Sequence, residues 1–578
     1  MYPVSKVITM ATHVPTDMFR CSRDQKMHVH FFICENTNYI CTCTIPQLSI
    51  MEWPIKEGDT FLTTPTAKQV LKAAVEAVLV PFSPELERKM ELVKMIDKEK
   101  HWYIGFYSIV DCFVTLMAHL PPVEALLMAQ TGLDTLRKEM LFRKDDNTVV
   151  PAHEAFSQDD IHVSWDTKIL HGFWKPNKLN YLFPLVSLKG RTLYKKDALL
   201  QLLAWMNYGC LEPSAAIHAR QTCLSGNVDI SKQVFVLLGA TSELGPAKIL
   251  LKIPHAHVLA VARPGRKLNS LAEWFARFCP TNSTLVLPGD GADLLTEGPQ
   301  IAKWIIDTVP QDKQVVICHL AYVDGEAHVR VNVAMDLISK YVSERHPNVA
   351  LSFLSSPATV MVVPPEAAAA CKTQSKERWH SYARSMSSGR WMKGWQYDKG
   401  ITGMLPAVLN GMTHSQDPNF ALAKMMQQWR CMVAYSQKQI VSAPMAPATR
   451  TQSVVSQSDS AFFLEGMQFI EPLVAFNVNT TSSLMTAILL SQINLPPLKL
   501  DHPMHVVWDG SVHGGVWRCP YLPESVHHVS YLLGLVTPKG YIPKGSLPTS
   551  ENLWEQKFQN SKDLPGNLLH HSKAIKKQ

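Results

Sequence analysis

The chain has 578 residues, 46% hydrophobic and 18% charged, with a formal net charge of +7. That length exceeds a single compact core and predicts roughly two to four domains, while the hydrophobic fraction excludes a disordered chain. The 56 basic residues are thinly spread, and without a dense basic stripe interleaved with aromatics the composition speaks against nucleic acid as a partner.

Residues 1–20 lack the apolar core of a secretory signal. Twelve scattered cysteines with no CxxC predict reduced thiols and an intracellular, cytoplasmic setting, with organelle import left open. Residues 27–33 and 39–45 read as two strands of a hairpin about Glu35-Asn36-Thr37-Asn38. Alternation would put His28 and His30 on one face with Cys41 and Cys43. Those residue types can hold zinc, but the spacing matches no common finger or ribbon. A half-buried hairpin with ordinary thiols is the simpler reading, and no metal is expected.

Helical periodicity then dominates residues 66–220, with helices expected at 67–80, 84–98, 103–120, 122–142 and 195–208. The apolar stretch 104–120 contains Asp111 and His119 and ends at Pro121-Pro122. It is short for a membrane span and charged near its middle, so it predicts a buried helix and no transmembrane segment. Residues 1–225 match no known family. They could serve as a dimerisation surface, a cap over a cleft or a docking module, compatible with a homo-oligomer or a larger assembly.

From residue 231 short β-branched runs alternate with helical stretches. Strands are expected at 234–238, 257–261, 284–287, 315–319, 350–354, 439–443 and 505–508. This alternation predicts an α/β fold with a parallel, doubly wound sheet over about residues 226–530. Residues 445–460 read as a polar mobile loop, and 531–578 as an extension with a basic, solvated end.

Residues 233–263 carry the sharpest signal: a buried-strand run, the turn GATSELG, a helix, and a second strand ending in VARPGR. A strand that stops at Gly239 and turns into a helix presents backbone N–H groups and a helix dipole to a pyrophosphate. Arg263 and Arg266 fall where the adenosine ribose would arrive. A cationic pair there suits a 2′-phosphate, so NADP(H) is favoured over NAD(H).

Residues 232–518 resemble the short-chain dehydrogenase/reductase family, which implies a Rossmann-like fold. GATSELG is similar to its glycine-rich turn. The resemblance implies that Gly239, Thr241, Ser242, Leu244 and Gly245 line the cofactor, with Glu243 in place of the middle glycine. Asp290 in GDGAD resembles the acidic residue that contacts the adenine. Cys318-His319-Leu320-Ala321 stands where the family has Asn-Asn-Ala-Gly, which implies that Ala321 borders the cofactor. Asn332 falls at the family's central-helix asparagine. Ser355 and Ser356 end the strand that carries its catalytic serine.

The family's chemistry needs a tyrosine and, four residues on, a lysine: the lysine binds the nicotinamide ribose, and the tyrosine exchanges a proton with a carbonyl oxygen held by the serine. Counting back from the proline loop at Pro447 places Phe420 and Lys424 in that pair, keeping the lysine and losing the phenol. A second register, Tyr382 to Met386, keeps the phenol and loses the lysine. In the first register residues 360–418 are an insertion rich in Trp, Tyr, Arg and Lys, either a packed accessory unit or a substrate lid that supplies Tyr382. His319, expected at the mouth of the fourth strand, is the other candidate proton donor. Arg450 could meet an anionic group or solvent. The resemblance implies an NADP(H)-dependent oxidoreductase acting on a small-molecule carbonyl or alcohol. The alternative is a non-catalytic Rossmann-fold protein with a nucleotide-sensing or structural role.

Overall fold

In the computed structural model of the protein, residues 49–537 are described, apart from 57–59, 82, 84, 159–160, 174, 176–185, 189–190, 194, 226–227, 374–377, 395–406, 414–415 and 497. The hairpin at 27–45, with its His28, His30, Cys41 and Cys43, lies outside the described residues, as does the end of the chain.

Seven strands form the central sheet: β1 (Thr167–His171), β2 (Gln233–Leu238), β3 (His257–Val261), β4 (Thr284–Pro288), β5 (Gln314–His319), β6 (Val349–Phe353) and β7 (Ile440–Ser442). Their order is β7-β6-β5-β2-β3-β4-β1. Six are parallel, and β1 closes one edge antiparallel to β4.

The inner parallel strands are apolar almost throughout because both faces are covered. Successive side chains point to opposite faces, so Val234, Val236, Leu238, Val315 and Ile317 enter one core. Phe235, Leu237, Val258, Ala260 and Val316 enter the other.

The longer helices among the described residues are α1 (Thr63–Glu76), α2 (Leu86–Lys98), α3 (Trp102–His119), α4 (Pro122–Glu139), α5 (Lys195–Tyr208), α6 (Pro213–Ser225), α7 (Arg266–Phe278), α8 (Gly298–Thr308), α9 (Ala327–Arg345), α10 (Pro418–Ser436), α11 (Val478–Gln492) and α12 (Pro523–Val536). The first core holds residues of α1, α3, α4, α8, α9 and α10. The second is closed by Leu268, Leu271 and Phe275 of α7 and by Leu489 and Leu490 of α11. Close approach of α4 to α10 depends on Gly132, where a Cβ would lie 2.6 Å from the Trp429 ring.

Three expectations need correction. The N-terminal region is joined to the sheet through β1, whose residues are mostly exposed and so lack a hydrophobic period. The expected strand at 505–508 is a 3₁₀ turn, Pro503–Val507, entered through Pro503 and capped by the His502 ring on Met504 N–H at 3.2 Å. The expected loop at 445–460 contains a helical turn at Gln452–Val455 and the start of a helix at Ser458–Gly466. No helix among the described residues is long and apolar enough to cross a membrane.

Candidate functional site

In the strand order the chain leaves β2 toward β3 and leaves β5 toward β6, so the loops after β2 and β5 diverge. A crevice opens at such a point in open α/β sheets. Gly239, at φ +96°, approaches the next loop so closely that a Cβ would lie 2.5 Å from Ala321 N.

The Gly239 and Ala240 amides bond Val261 O, Ser242 N–H donates to Gly239 O, and Gly245 N–H donates to Ser242 O. The amides of Thr241, Glu243 and Leu244 have no partner among the described residues, a donor set that suits phosphate oxygens. The helix expected after the turn is one turn long, Ala247–Leu250, so the dipole of a full helix is missing. The Glu243 carboxylate is drawn aside by Gln452 N–H, which donates to it at 2.8 Å.

Arg263 and Arg266 are both exposed, on either side of Gly265 at φ +143°. Asp290 is exposed and ion-paired with Lys168 of β1. Arg450 pairs with Glu465, so its charge is spent inside the 449–466 segment.

Beside the β5 exit, α9 and α10 bring polar side chains together. Lys424 Nζ donates to Gln427 Oε1 at 3.1 Å, and Gln427 Nε2 donates to Asn332 Oδ1 at 2.7 Å. Asn332 Nδ2 in turn donates to His328 O at 2.7 Å. Burial lowers the Lys424 amine to about 8. No carboxylate pairs with it among the described residues.

A row of rings lies alongside. Lys424 Nζ is 5.9 Å from the Phe420 ring centre, Phe420 is 5.8 Å from His328, and His328 is 4.6 Å from Tyr322. The Tyr322 hydroxyl donates to Asp324 at 2.9 Å; burial and that bond raise its pKa. His328 is 2% exposed. Its Nδ1 lies 2.9 Å from Val323 O, and its Nε2 has no partner among the described residues. Burial, with the Lys424 charge, pushes it down to about 3, so the ring is neutral and Nε2 is a bare acceptor.

The other expected site residues fall elsewhere. Ser355 Oγ donates to Ala443 O at 3.1 Å, and Ser356 Oγ accepts from Ala358 N–H at 3.2 Å. Neither serine is hydrogen-bonded to Lys424 or Tyr382. Tyr382 is 70% exposed, and its hydroxyl makes no hydrogen bond among the described residues. Its neighbours Trp379, Ala383 and Met392 pack with Tyr521 and Val526, so the described part of the insertion is a packed unit.

His319, the other candidate proton donor, lies in the covered core. It shares the face of Val315 and Ile317, lies 2.6 Å from Ser339 Oγ of α9 and rests 4.3 Å from the Phe353 ring. Burial drives it to about 3, against the pull of Asp336. It is sealed and neutral, which is no place for a general acid. Tyr322, His328 and Gln427 had no motif to announce them; the one available signal is that His328 and Asn332 are four apart and share a helical face.

Two other polar groups lie apart from this crevice. Ser491 Oγ lies 2.8 Å from His218 Nδ1, and His218 Nε2 lies 2.9 Å from both Asp509 oxygens. Ser491 and His218 are buried between α6 and α11, 7% and 6% exposed, so this chain ties helices together. A cavity of about 120 Å³ beside Arg137, Lys138, His153, Lys340 and Arg345 lies at the C-terminal ends of α4 and α9, where basic side chains offset helix dipoles. Among the described residues no group of three His, Cys, Asp or Glu could hold a metal ion. No protein-family model matches the chain, and no curated protein matches it.

Proposed function

We propose that the protein is an NADP(H)-dependent oxidoreductase of the short-chain dehydrogenase/reductase type, acting on a carbonyl/alcohol pair in an intracellular setting. The observation that carries this is the Lys424–Gln427–Asn332 chain beside the crevice where the β2 and β5 loops part. Numbered from β2, the parallel strands follow the order 3-2-1-4-5-6, which is that of the Rossmann fold.

The unpartnered amides of Thr241, Glu243 and Leu244 would hold the pyrophosphate. Arg263 and Arg266 would take the 2′-phosphate, Asp290 the adenine and Lys424 the nicotinamide ribose. When bound, the cofactor supplies or accepts a hydride at the substrate carbon. Ser355 and Ser356 would orient the substrate oxygen once the Ser355 hydroxyl leaves Ala443 O.

A second reading, a non-catalytic nucleotide-sensing or structural Rossmann-fold protein, is favoured by Phe420 in place of the phenol and by Glu243 beside the phosphate-binding amides. Titration of the full chain with NADPH and NADH, followed by calorimetry, tests both. Saturable NADPH binding is expected, weakened about tenfold by Arg263→Ala through one lost charge-assisted phosphate contact. Silence toward both cofactors up to millimolar concentration would overturn the oxidoreductase reading and leave a structural role. Binding without hydride transfer to any carbonyl would select the second.

A further inference from the structure

We infer that Lys424 is a nucleophilic amine that captures a carbonyl compound as an imine beside the ring row of Phe420, His328 and Tyr322. This activity needs no cofactor and goes beyond the reading above.

Four observations converge on it. Among the described residues Lys424 Nζ makes one hydrogen bond, to a neutral amide oxygen, so it keeps donors and, once deprotonated, a lone pair for a ligand. The amine lies in a desolvated setting, one of the recognised ways to activate a lysine nucleophile. The Phe420, His328 and Tyr322 rings offer flat apolar contact, which favours an aldehyde bearing a flat apolar group. His328 Nε2 is a buried acceptor without a partner among the described residues, a condition that costs stability unless something donates to it.

The charged groups around the amine are otherwise engaged. Tyr322 donates to Asp324, Asp417 accepts from Phe420 N–H at the α10 cap, and Glu326 pairs with Arg330. Asp336, deeper between α9 and α10, pairs with Arg137 and Arg430. His328 is neutral. Burial is the cause of the lowered Lys424 pKa.

In the step itself the Nζ lone pair forms a bond to the carbonyl carbon, and the π pair moves to oxygen. The oxygen takes up the proton released by nitrogen. The resulting carbinolamine hydroxyl can donate to His328 Nε2, which makes His328 a positioning residue. Protonation from solvent lets that hydroxyl leave as water while the nitrogen pair closes the C=N bond, and the iminium then returns its N–H proton to solvent. The balance is amine plus carbonyl to imine plus water, and hydrolysis reverses it.

The test uses the full chain, benzaldehyde and cyanoborohydride, which reduces the imine to a stable benzylamine, with peptide mass spectrometry as the readout. Near pH 7.5 Lys424 should be benzylated at least about tenfold faster than Lys232 and Lys267, which are exposed, because far more of it is free amine. Its rate should level off above about pH 8, where the Lys424 amine is mostly deprotonated. Lys424→Arg should remove the label from that peptide alone.

His328→Phe, which keeps a ring and removes Nε2, should slow Lys424 labelling several-fold and leave Lys232 unchanged. Labelling of Lys424 at parity with Lys232 and Lys267 would overturn the inference, and an unaltered rate in His328→Phe would overturn the role given to His328. Repeating the labelling with NADPH separates the two readings. Protection supports a cofactor lying over the amine. Selective labelling that NADPH leaves unchanged sustains the imine site and counts against the cofactor.

Discussion

Along the contact between α9 and α10, the end deep against the sheet and the end at the mouth are both polar, but they are finished differently. At the deep end Asp336 is 2% exposed and receives Arg137 Nε at 2.7 Å and Nη2 at 3.1 Å. Arg430 lies 3.7 Å away, and Arg137 also reaches Asp134 at 2.8 Å. Although burial opposes ionisation, the two guanidinium groups hold the Asp336 carboxyl below its ordinary range. Two turns nearer the mouth, Lys424 has a neutral partner and His328 Nε2 has none among the described residues. Compensated charge of the first kind ties elements together. Uncompensated polar atoms of the second kind cost stability and are retained where chemistry uses them.

This contrast is sharpest in a stability measurement. Asp336→Asn removes the buried charge that Arg430 faces and half of the charge that Arg137 faces and should cost about 3–5 kcal/mol, read as a lowered urea midpoint. A loss under about 1 kcal/mol would mean that the deep end is not a structural tie.

A second compensated cluster gives the next effect. Glu212 is buried, yet hydrogen bonds from His513 at 3.0 Å and from Arg518 overcome the burial and hold it at about 2. Its folded pKa lies below the unfolded one, so its contribution is present above about pH 4.5 and is lost as pH falls toward about 2. That contribution is on the order of 3 kcal/mol. The stability gap between wild type and Glu212→Gln should therefore close on acidification through that window, and a pH-independent gap would contradict it.

The smallest effect has the opposite sign. A lysine whose folded pKa is depressed destabilises the fold below that pKa, and the penalty fades as pH rises from about 8 toward its unfolded value. Lys424→Met should stabilise the protein by about 1–2 kcal/mol near neutral pH, discounted for its partial exposure. Thermal melts at neutral and alkaline pH would show the gain shrinking at the higher pH. A loss of stability instead would place Lys424 with the structural charges of the deep end.

Five of the six parallel strands were legible in the sequence because they are buried almost throughout and read as apolar runs bounded by turn residues, whereas the edge strand β7 is only half-buried. The glycine turn was legible because Gly239 must take φ +96° against Ala321, and few other residues tolerate that backbone. β1 was not legible: an exposed edge strand needs no hydrophobic period, and its place is set by hydrogen bonds to β4. His319 was misjudged from its position at a strand end, although its parity with Val315 and Ile317 already assigned it to the covered face.

The spacing of Asn332 and Asp336 on one helix, and of Lys424, Gln427 and Arg430 on another, was also present in the sequence. Which of them would meet was decided by how α9 and α10 pack. A period of burial is local and can be read along the chain. The pairing of Gln427 with Asn332, 95 residues apart, and the lack of a carboxylate partner for Lys424 among the described residues are matters that packing alone settles.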